Sequence, residues 1–349
     1  MSTPRKRPTV KDVAAEAGVG VMTVSYTFNR PERVAAETRS RVLAAAERLG
    51  YQRPDGTARA LRSGRTGQLG IVFGEHLSYA FDDLRAAAFL AGIADVCVEE
   101  AMGMMLIPTH GTDSDTDRVL EAAVDAYVLW TTTDDDPVLT AVARSGRSAS
   151  IQGGPEVPGI TRIGQDDHAA ANAVVRAALS HGDFPVVISF PLDKQRNPVL
   201  TDGGALPDGV AFPVTRQRLT GYAQAVTAAG RDWSATPVAV VERNRRDQAE
   251  TALLGLLEHI PAGASPVVLT MSDELALGAR TTLNGLGRTA VITGWDGSPE
   301  ALSAGIITVT NPLREQGRLC ARAALGADTP VYPIGWEVLD PLAEGPSTP

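Results

Sequence analysis

Val21, Met22, Thr23, Ser25, Tyr26 and Asn29 fall within one nine-residue stretch, VMTVSYTFN, whose positions Val24, Thr27 and Phe28 already supply the inward stripe of a short helix. A helix that only had to pack would cover its other face with charge. This one covers it with aliphatic side chains, a phenol, and small hydroxyl and amide groups. Such groups suit a nucleic-acid duplex: an aliphatic side chain meets a thymine methyl, a phenol bonds a base edge, and short polar groups bond phosphate oxygens. Val21, Met22 and Tyr26 are therefore candidates for base readout. Thr9, Thr23, Ser25 and Asn29 are candidates for phosphate contact, which sets register without reading sequence.

The elements that must hold this face are legible on either side of it. In TVKDVAAEAG, Thr9 offers a capping hydroxyl with Asp12 three residues on. Val10, Val13, Ala14 and Ala17 keep helical spacing, and Gly18 stops the run. A tight turn through Gly18–Gly20 leads into a second helix over 21–29, which Asn29, Arg30 and Pro31 end. A third helix is expected over 36–49, with Val42, Ala45, Ala46 and Leu49 inward and Gly50 as its stop. Two short helices joined by a glycine turn and followed by a third are the helix-turn-helix arrangement, whose second helix enters the DNA major groove. Charge agrees with this. Residues 1–65 hold 13 Lys or Arg against 6 Asp or Glu, a balance of +7, on a chain whose net charge is −9. A basic segment on an acidic body points the first part, and only that part, at a polyanion.

The stretch TVKDVAAEAGVGVMTVSYTFNRPERVAAETRSRVLAAAERLGY, followed by ARALRSGRTGQLGIV, resembles the lactose-repressor (LacI/GalR) family of bacterial transcription regulators. The resemblance implies a hinge helix after the helix-turn-helix, matched here by Pro54, Ala58, Arg59 and Leu61. In the family, the paired hinge helices of a dimer enter the minor groove, and Leu61 stands where a leucine wedges between base steps. The chain also departs from the family pattern. Gly20 and Ala35 stand where serine caps are usual, Tyr26 where arginine is frequent, and two residues separate Tyr51 from Pro54 rather than one. The weakened caps imply a less stable N-terminal domain.

From Gly67 onward, short apolar runs (QLGIVF, GMMLIP, AYVLW, SASIQ, ITRIG, FPVVISF, VAVVE, PVVLTM, AVITGW) alternate with Ala-rich amphipathic segments. That is the pattern of βαβ units and parallel sheets. The fold expected is an all-α helix-turn-helix domain over 1–53, a hinge over 54–66, and an α/β domain over 67–349 with two doubly wound lobes. The resemblance makes this last domain the periplasmic-binding-protein-like effector domain of the family, with three chain crossings between lobes. It covers nearly the whole chain.

Ligands of such folds bind beyond the carboxyl ends of the strands. Ser78, Tyr79, Phe81 and Asp82 follow the first run and are placed at the cleft, unless that loop is simply solvated. Asp166 of IGQDDH matches the family's acidic strand end, with capping as the alternative. Arg218 of RLTGY matches the arginine that holds a ligand's hydroxyls or carboxylate. Asp273 of TMSDELALGA matches an aspartate that accepts from ligand hydroxyls, or else caps its helix. Trp295 is either a stacking platform or core. These residues fit a sugar or nucleoside-like effector. The Gly- and Pro-rich segment 191–217 reads as a loop, either restricting the cleft or standing out on the surface.

Catalytic apparatus is not evident. The five histidines show no metal-ligand spacing, and neither a nucleophile elbow nor a phosphate-binding Gly-rich loop occurs, so no enzyme activity, metal or cofactor is expected. Cys97 and Cys320 read as buried thiols of a reducing compartment. The basic N-terminus has no apolar region behind it, and no run is long enough to span a bilayer. The sequence thus predicts a cytoplasmic homodimer that binds operator DNA and responds to a small effector. The alternative is a ligand-binding protein of the same fold that has lost DNA binding.

Overall fold

The computed structural model describes residues 8–51, 64–73, 81, 83–109, 112, 114–201, 204, 209–329 and 332–343. It divides into two compact units, Met1–Gly67 and Gln68–Pro349.

The first unit contains α1 (Val10–Ala17), α2 (Val21–Asn29) and α3 (Ala36–Leu49), the last preceded by a single 3-10 turn at Pro31–Arg33. Thr9 starts α1 with a full capping box: its hydroxyl accepts from the Asp12 backbone N–H, and the Asp12 carboxylate accepts from Thr9 N–H at 2.7 Å. Gly18 and Gly50 end α1 and α3 in the left-handed conformation, at φ 63° and 68°. At Gly20 and Ala35 no side chain bonds the first turn, so α2 and α3 begin without the help α1 has. The three helices share one small core of Val13, Ala14, Val24, Val42, Ala45 and Ala46. Tyr51 is buried beside them and meets Phe28 edge-on at 5.7 Å.

The second unit has two lobes. In lobe 1, β1 (Gln68–Phe73), β2 (Gly103–Pro108), β3 (Ala126–Trp130), β4 (Ala149–Gln152) and β5 (Thr161–Ile163) form a parallel sheet of order β2-β1-β3-β4-β5. Between them run α4 (Leu84–Glu99), α5 (Ser114–Glu121) and α6 (Pro137–Arg144). Alternate residues of β1 serve opposite cores: Leu69, Ile71 and Phe73 pack toward α4, while Val72 packs with Val119 of α5 and Val138 of α6. Burial on both faces is why these strands read as continuous apolar runs.

Lobe 2 begins with α7 (Asp167–Ala178). Its strands are β6 (Phe184–Ser189), β7 (Val199–Thr201), β8 (Val238–Val240), β9 (Pro266–Thr270), β10 (Val291–Asp296), β11 (Ile307–Thr310) and β12 (Val338–Leu339). The sheet order is β12-β11-β10-β9-β6-β8-β7, parallel except for the two edge strands β12 and β7. α7 and α8 (Pro213–Ala228) cover one face. α9 (Arg246–Leu257) and α10 (Asp273–Gly285) cover the other, and α11 (Pro299–Ser303) is a short turn of helix before β11. The last helix, α12 (Leu313–Ala324), follows β11 of lobe 2 yet packs in lobe 1 against α4, β3, β4 and β5 before the chain returns to β12. The chain thus crosses between lobes three times. α4 and α12 touch backbone to backbone, because a Cβ on Gly92 would lie 1.9 Å from the Arg314 carbonyl oxygen and one on Gly317 2.2 Å from that of Phe89.

Segment 191–217 is not the plain loop its composition implies. Val199–Thr201 pairs antiparallel with β8 as an edge strand, and Pro213 opens α8 from the first-turn position that suits proline. β11 and β12 also escape the sequence reading, since ITVT alternates and VL is only two residues long. Cys97 and Cys320 are both buried and unbridged. No described helix is long and apolar enough to cross a membrane.

Candidate functional site

On the first unit, α2 buries Val24 and Thr27 and turns outward Val21 (45% exposed) and Met22 (64% exposed), the two largest apolar exposures on that helix. Thr27 is held inward by its hydroxyl, which donates to the Thr23 carbonyl at 2.9 Å. Tyr26, Thr23 and Ser25 are half-buried, and Asn29 is exposed, with its amide donating to Ser25 Oγ at 3.3 Å. The Thr9 hydroxyl is engaged in its capping box, donating to Asp12 at 2.7 Å. The expected hinge residues Ala58, Arg59 and Leu61 lie outside the described residues.

In the second unit, a cavity of about 120 Å³ lies where the strand ends of both lobes converge, several times the space one water needs. Lobe 1 contributes Asp83 and Arg85 from the start of α4, Trp130 and Thr131 from the end of β3, and Gln152 from β4. The first crossing brings Gln165 and Asp167, and the crossing to α12 brings Asn311. Lobe 2 adds Phe190 and Arg196 after β6, Phe212, Thr215 and Arg218 at the start of α8, and Arg243, Asn244 and Arg245 after β8.

Arg218 sits on the floor. It is almost wholly buried, pairs with Asp167 at 2.8 Å, donates to the Met271 carbonyl at 2.6 Å, and stacks over Trp295 at 3.7 Å from the ring centroid. Burial lowers its pKa, and Asp167 opposes that shift. Arg85 of lobe 1 is ion-paired with Asp296 of lobe 2. Burial pushes the Asp296 carboxyl up to about 7, against the pull of Arg85 and with the charge of Asp273 adding to the rise. Asp296 also holds φ at 145°, a region that favours glycine, so the residue is strained where the lobes meet. Asn244 donates to Asp83 at 3.3 Å and accepts from Ser272, a second link between lobes. Lys194–Asp136 at 3.2 Å and Arg216–Asp134 at 2.7 Å join the lobes through segment 191–217.

The effector residues expected from sequence are distributed differently. Of these, Arg218 lines the cavity. Ser78, Tyr79 and Asp82 lie outside the described residues, and Phe81 is exposed without lining the cavity. Asp166 takes its capping alternative, its carboxylate accepting from Ala169 N–H at 2.9 Å at the start of α7, while the neighbouring Asp167 lines the cavity. The Asp273 carboxylate is consumed internally by the Thr308 hydroxyl at 2.6 Å and the Ser298 N–H at 2.7 Å, and Ser272 rather than Asp273 caps α10. Trp295 is fully buried. With the Gln165 amide turned so that its oxygen faces the indole, Trp295 Nε1 donates to it at 3.1 Å, so the ring is core beneath Arg218 rather than an open platform. Sequence reading missed Arg243, Asn244 and Arg245, although they directly follow a strand it had recognised, VAVVE. The rule that ligands gather at strand ends, applied to every strand, finds them.

The model of the bacterial regulatory proteins of the lacI family matches residues 9–54, and that of the periplasmic binding proteins and sugar binding domain of the LacI family matches residues 210–299. The HTH-type transcriptional regulator Rv3575c of Mycobacterium tuberculosis is 35% identical over 347 residues, covering 97% of this chain and 96% of its own. The chain belongs to the LacI family. This LacI-family regulator is also 31% identical over 329 residues to the HTH-type transcriptional regulator IpsA of Corynebacterium glutamicum, covering 91% of this chain and 90% of the relative. Its fold matches the crystal structure of a LacI-family transcriptional regulator from Corynebacterium glutamicum with a TM-score of 0.68 and 26% identity, over 96% of this chain and 98% of that one.

Proposed function

We propose that this LacI-family protein is a cytoplasmic repressor that binds a near-palindromic operator as a homodimer and is released from it, or engaged on it, by a small effector. The observation that carries the reading is the outer face of α2, where Val21 and Met22 are exposed on a helix whose inner face is fully committed to packing. Val21, Met22 and Tyr26 read base edges, and Thr9, Thr23, Ser25 and Asn29 contact phosphates. One such helix touches too few base pairs to find a site among genomic competitors, so two copies act on two half-sites. Ala58, Arg59 and Leu61 form the hinge in the minor groove, over the span 54–66 that joins a DNA-binding domain at 1–53 to the effector domain at 67–349.

The effector binds in the cleft cavity, with Arg218 on its floor, and the family's sugar-binding domain supports a sugar or nucleoside-like ligand. Its influence on the operator is set by its differential affinity for two lobe arrangements; a hundredfold ratio amounts to about 2.7 kcal/mol per site. The test is selection of duplexes from a random pool by the purified protein, followed by a screen of small molecules for release. A palindromic consensus released by one compound supports the whole reading. No enrichment even at low salt, where phosphate contacts are strongest, returns the chain to a ligand-binding protein without DNA function.

A further inference from the structure

Five of the seven charged side chains lining the described cavity are arginines, Arg85, Arg196, Arg218, Arg243 and Arg245, against Asp83 and Asp167. This concentration occurs in a chain whose net charge is −9. The arginines form two groups. On the floor, Arg218 and Arg85 are each held by a carboxyl group with little exposure, Asp167 and Asp296. At the mouth, Arg196, Arg243 and Arg245 sit on the loops that follow β6 and β8. Arg243 pairs with Glu242 and Arg245 with Asp247, and every member of those two pairs is at least 40% exposed, where water screens the attraction and an incoming anion displaces it readily. Arg196 donates to the Glu242 carbonyl at 2.9 Å, which ties the two loops together and holds its guanidinium over Phe212.

The hydrogen-bond inventory points the same way. Of the two carboxylates that line the cavity, Asp83 already accepts from Arg85 N–H and from Asn244, and Arg218 holds one oxygen of Asp167, so the charged acceptors for ligand hydroxyls are fewer than the charged donors. Donors predominate instead, since each guanidinium carries five N–H groups in a planar fork that matches phosphate and carboxylate oxygens. We infer that the effector is an anion: a small hydroxylated molecule bearing a phosphate or carboxylate group, gripped by Arg196, Arg243 and Arg245 at the mouth of the cavity. Trp130, Phe190 and Phe212 supply its apolar walls. The inference rests on the reading of this cavity as the effector site.

Calorimetric titration of the full-length protein tests it, with inorganic phosphate, glucose 6-phosphate, ribose 5-phosphate and gluconate as probes and with glucose and ribose as neutral controls. At least one hydroxylated anion is expected to bind about tenfold or more tighter than its neutral parent. Phosphate esters against gluconate distinguish the two kinds of anionic group. Arg196→Gln and Arg243→Gln should each weaken that anion by about tenfold, and Arg196→Lys, which keeps the charge but loses the fork, should restore part of the affinity. Equal affinity for neutral and anionic probes, no binding of any anion at millimolar concentration, or unchanged affinity in both Gln variants overturns the inference. Operator binding by the unmodified protein is measured alongside. A protein that binds an anion but no duplex sinks the regulator reading alone, whereas release from operator by a neutral sugar sinks the anion alone.

Discussion

Arg85, in the first turn of α4 in lobe 1, donates to the carboxyl of Asp296, the last residue of β10 in lobe 2, and to the Trp295 carbonyl at 3.3 Å. Because burial raises the Asp296 carboxyl to about 7, while an unfolded carboxyl titrates near ~3.9, the folded chain keeps a proton that the unfolded chain has lost anywhere between those values. Stability contributed by this group therefore falls as pH rises through that window and levels off above it. Asp296→Asn has no such titration. Its stability deficit against the unmodified protein should shrink by roughly 2 kcal/mol between about pH 5 and pH 7, read from urea unfolding at each pH. A deficit that grows with pH means instead that Arg85 holds the carboxylate ionised.

Asp166 and Asp167 are neighbours with separate tasks. Asp166→Ala removes a helix cap and should cost about 1 kcal/mol. Asp167→Ala leaves the buried Arg218 guanidinium without its carboxylate and should cost about 3 kcal/mol or more. Thermal unfolding of both variants decides the assignment. Equal losses would show that Arg218 has found another partner.

The missing caps on α2 and α3 are repairable. Gly20 has open space where a Cβ would go and already holds the extended backbone that a capping residue uses, and Ala35, at φ −54° and ψ 139°, lies at the edge of that region. Gly20→Ser and Ala35→Ser should each stabilise the first unit by about 1 kcal/mol, seen as slower hydrogen exchange of the α2 and α3 amides. Exchange that does not slow would mean that the serine hydroxyls fail to reach the orphaned N–H groups.

Tyr26, the proposed base reader, and Ser25, the proposed phosphate anchor, share α2, and the two proposed roles predict different losses. Tyr26→Ala should change the preferred base at one operator position, at a cost of about 1–3 kcal/mol against the original site. Ser25→Ala should weaken all duplexes alike. Binding to a set of single-base operator variants separates the two, and a uniform loss in both variants rejects the division into reader and anchor.

What was legible in the sequence was local. α2 and α3 match their expected residues because stops and 3.6-residue spacing lie within each segment, and nine strands announced themselves as short apolar runs, most of them buried. The cavity was not local. Its walls come from strand ends in two lobes, and which of two adjacent aspartates faces it depends on where α7 begins, to the residue. Asp273 misled for the same reason. Its motif places it at a strand end, but Thr308 and Ser298, distant in sequence, absorb its carboxylate.

The position of α12 has a consequence for how the chain is made. Apart from α12, lobe 1 is built from the stretch Gln68–Ile163, yet part of its core, around Leu319, Cys320 and Ala324, comes from α12, which follows β11 of lobe 2. The emerging chain can complete its three-helix unit early. The lobe that follows waits, with the α12-facing side of α4 uncovered, until α12, which is made after β1–β11, has left the ribosome. Truncation between β11 and the end of α12 therefore releases a fragment whose first unit is complete and whose second unit is unfinished.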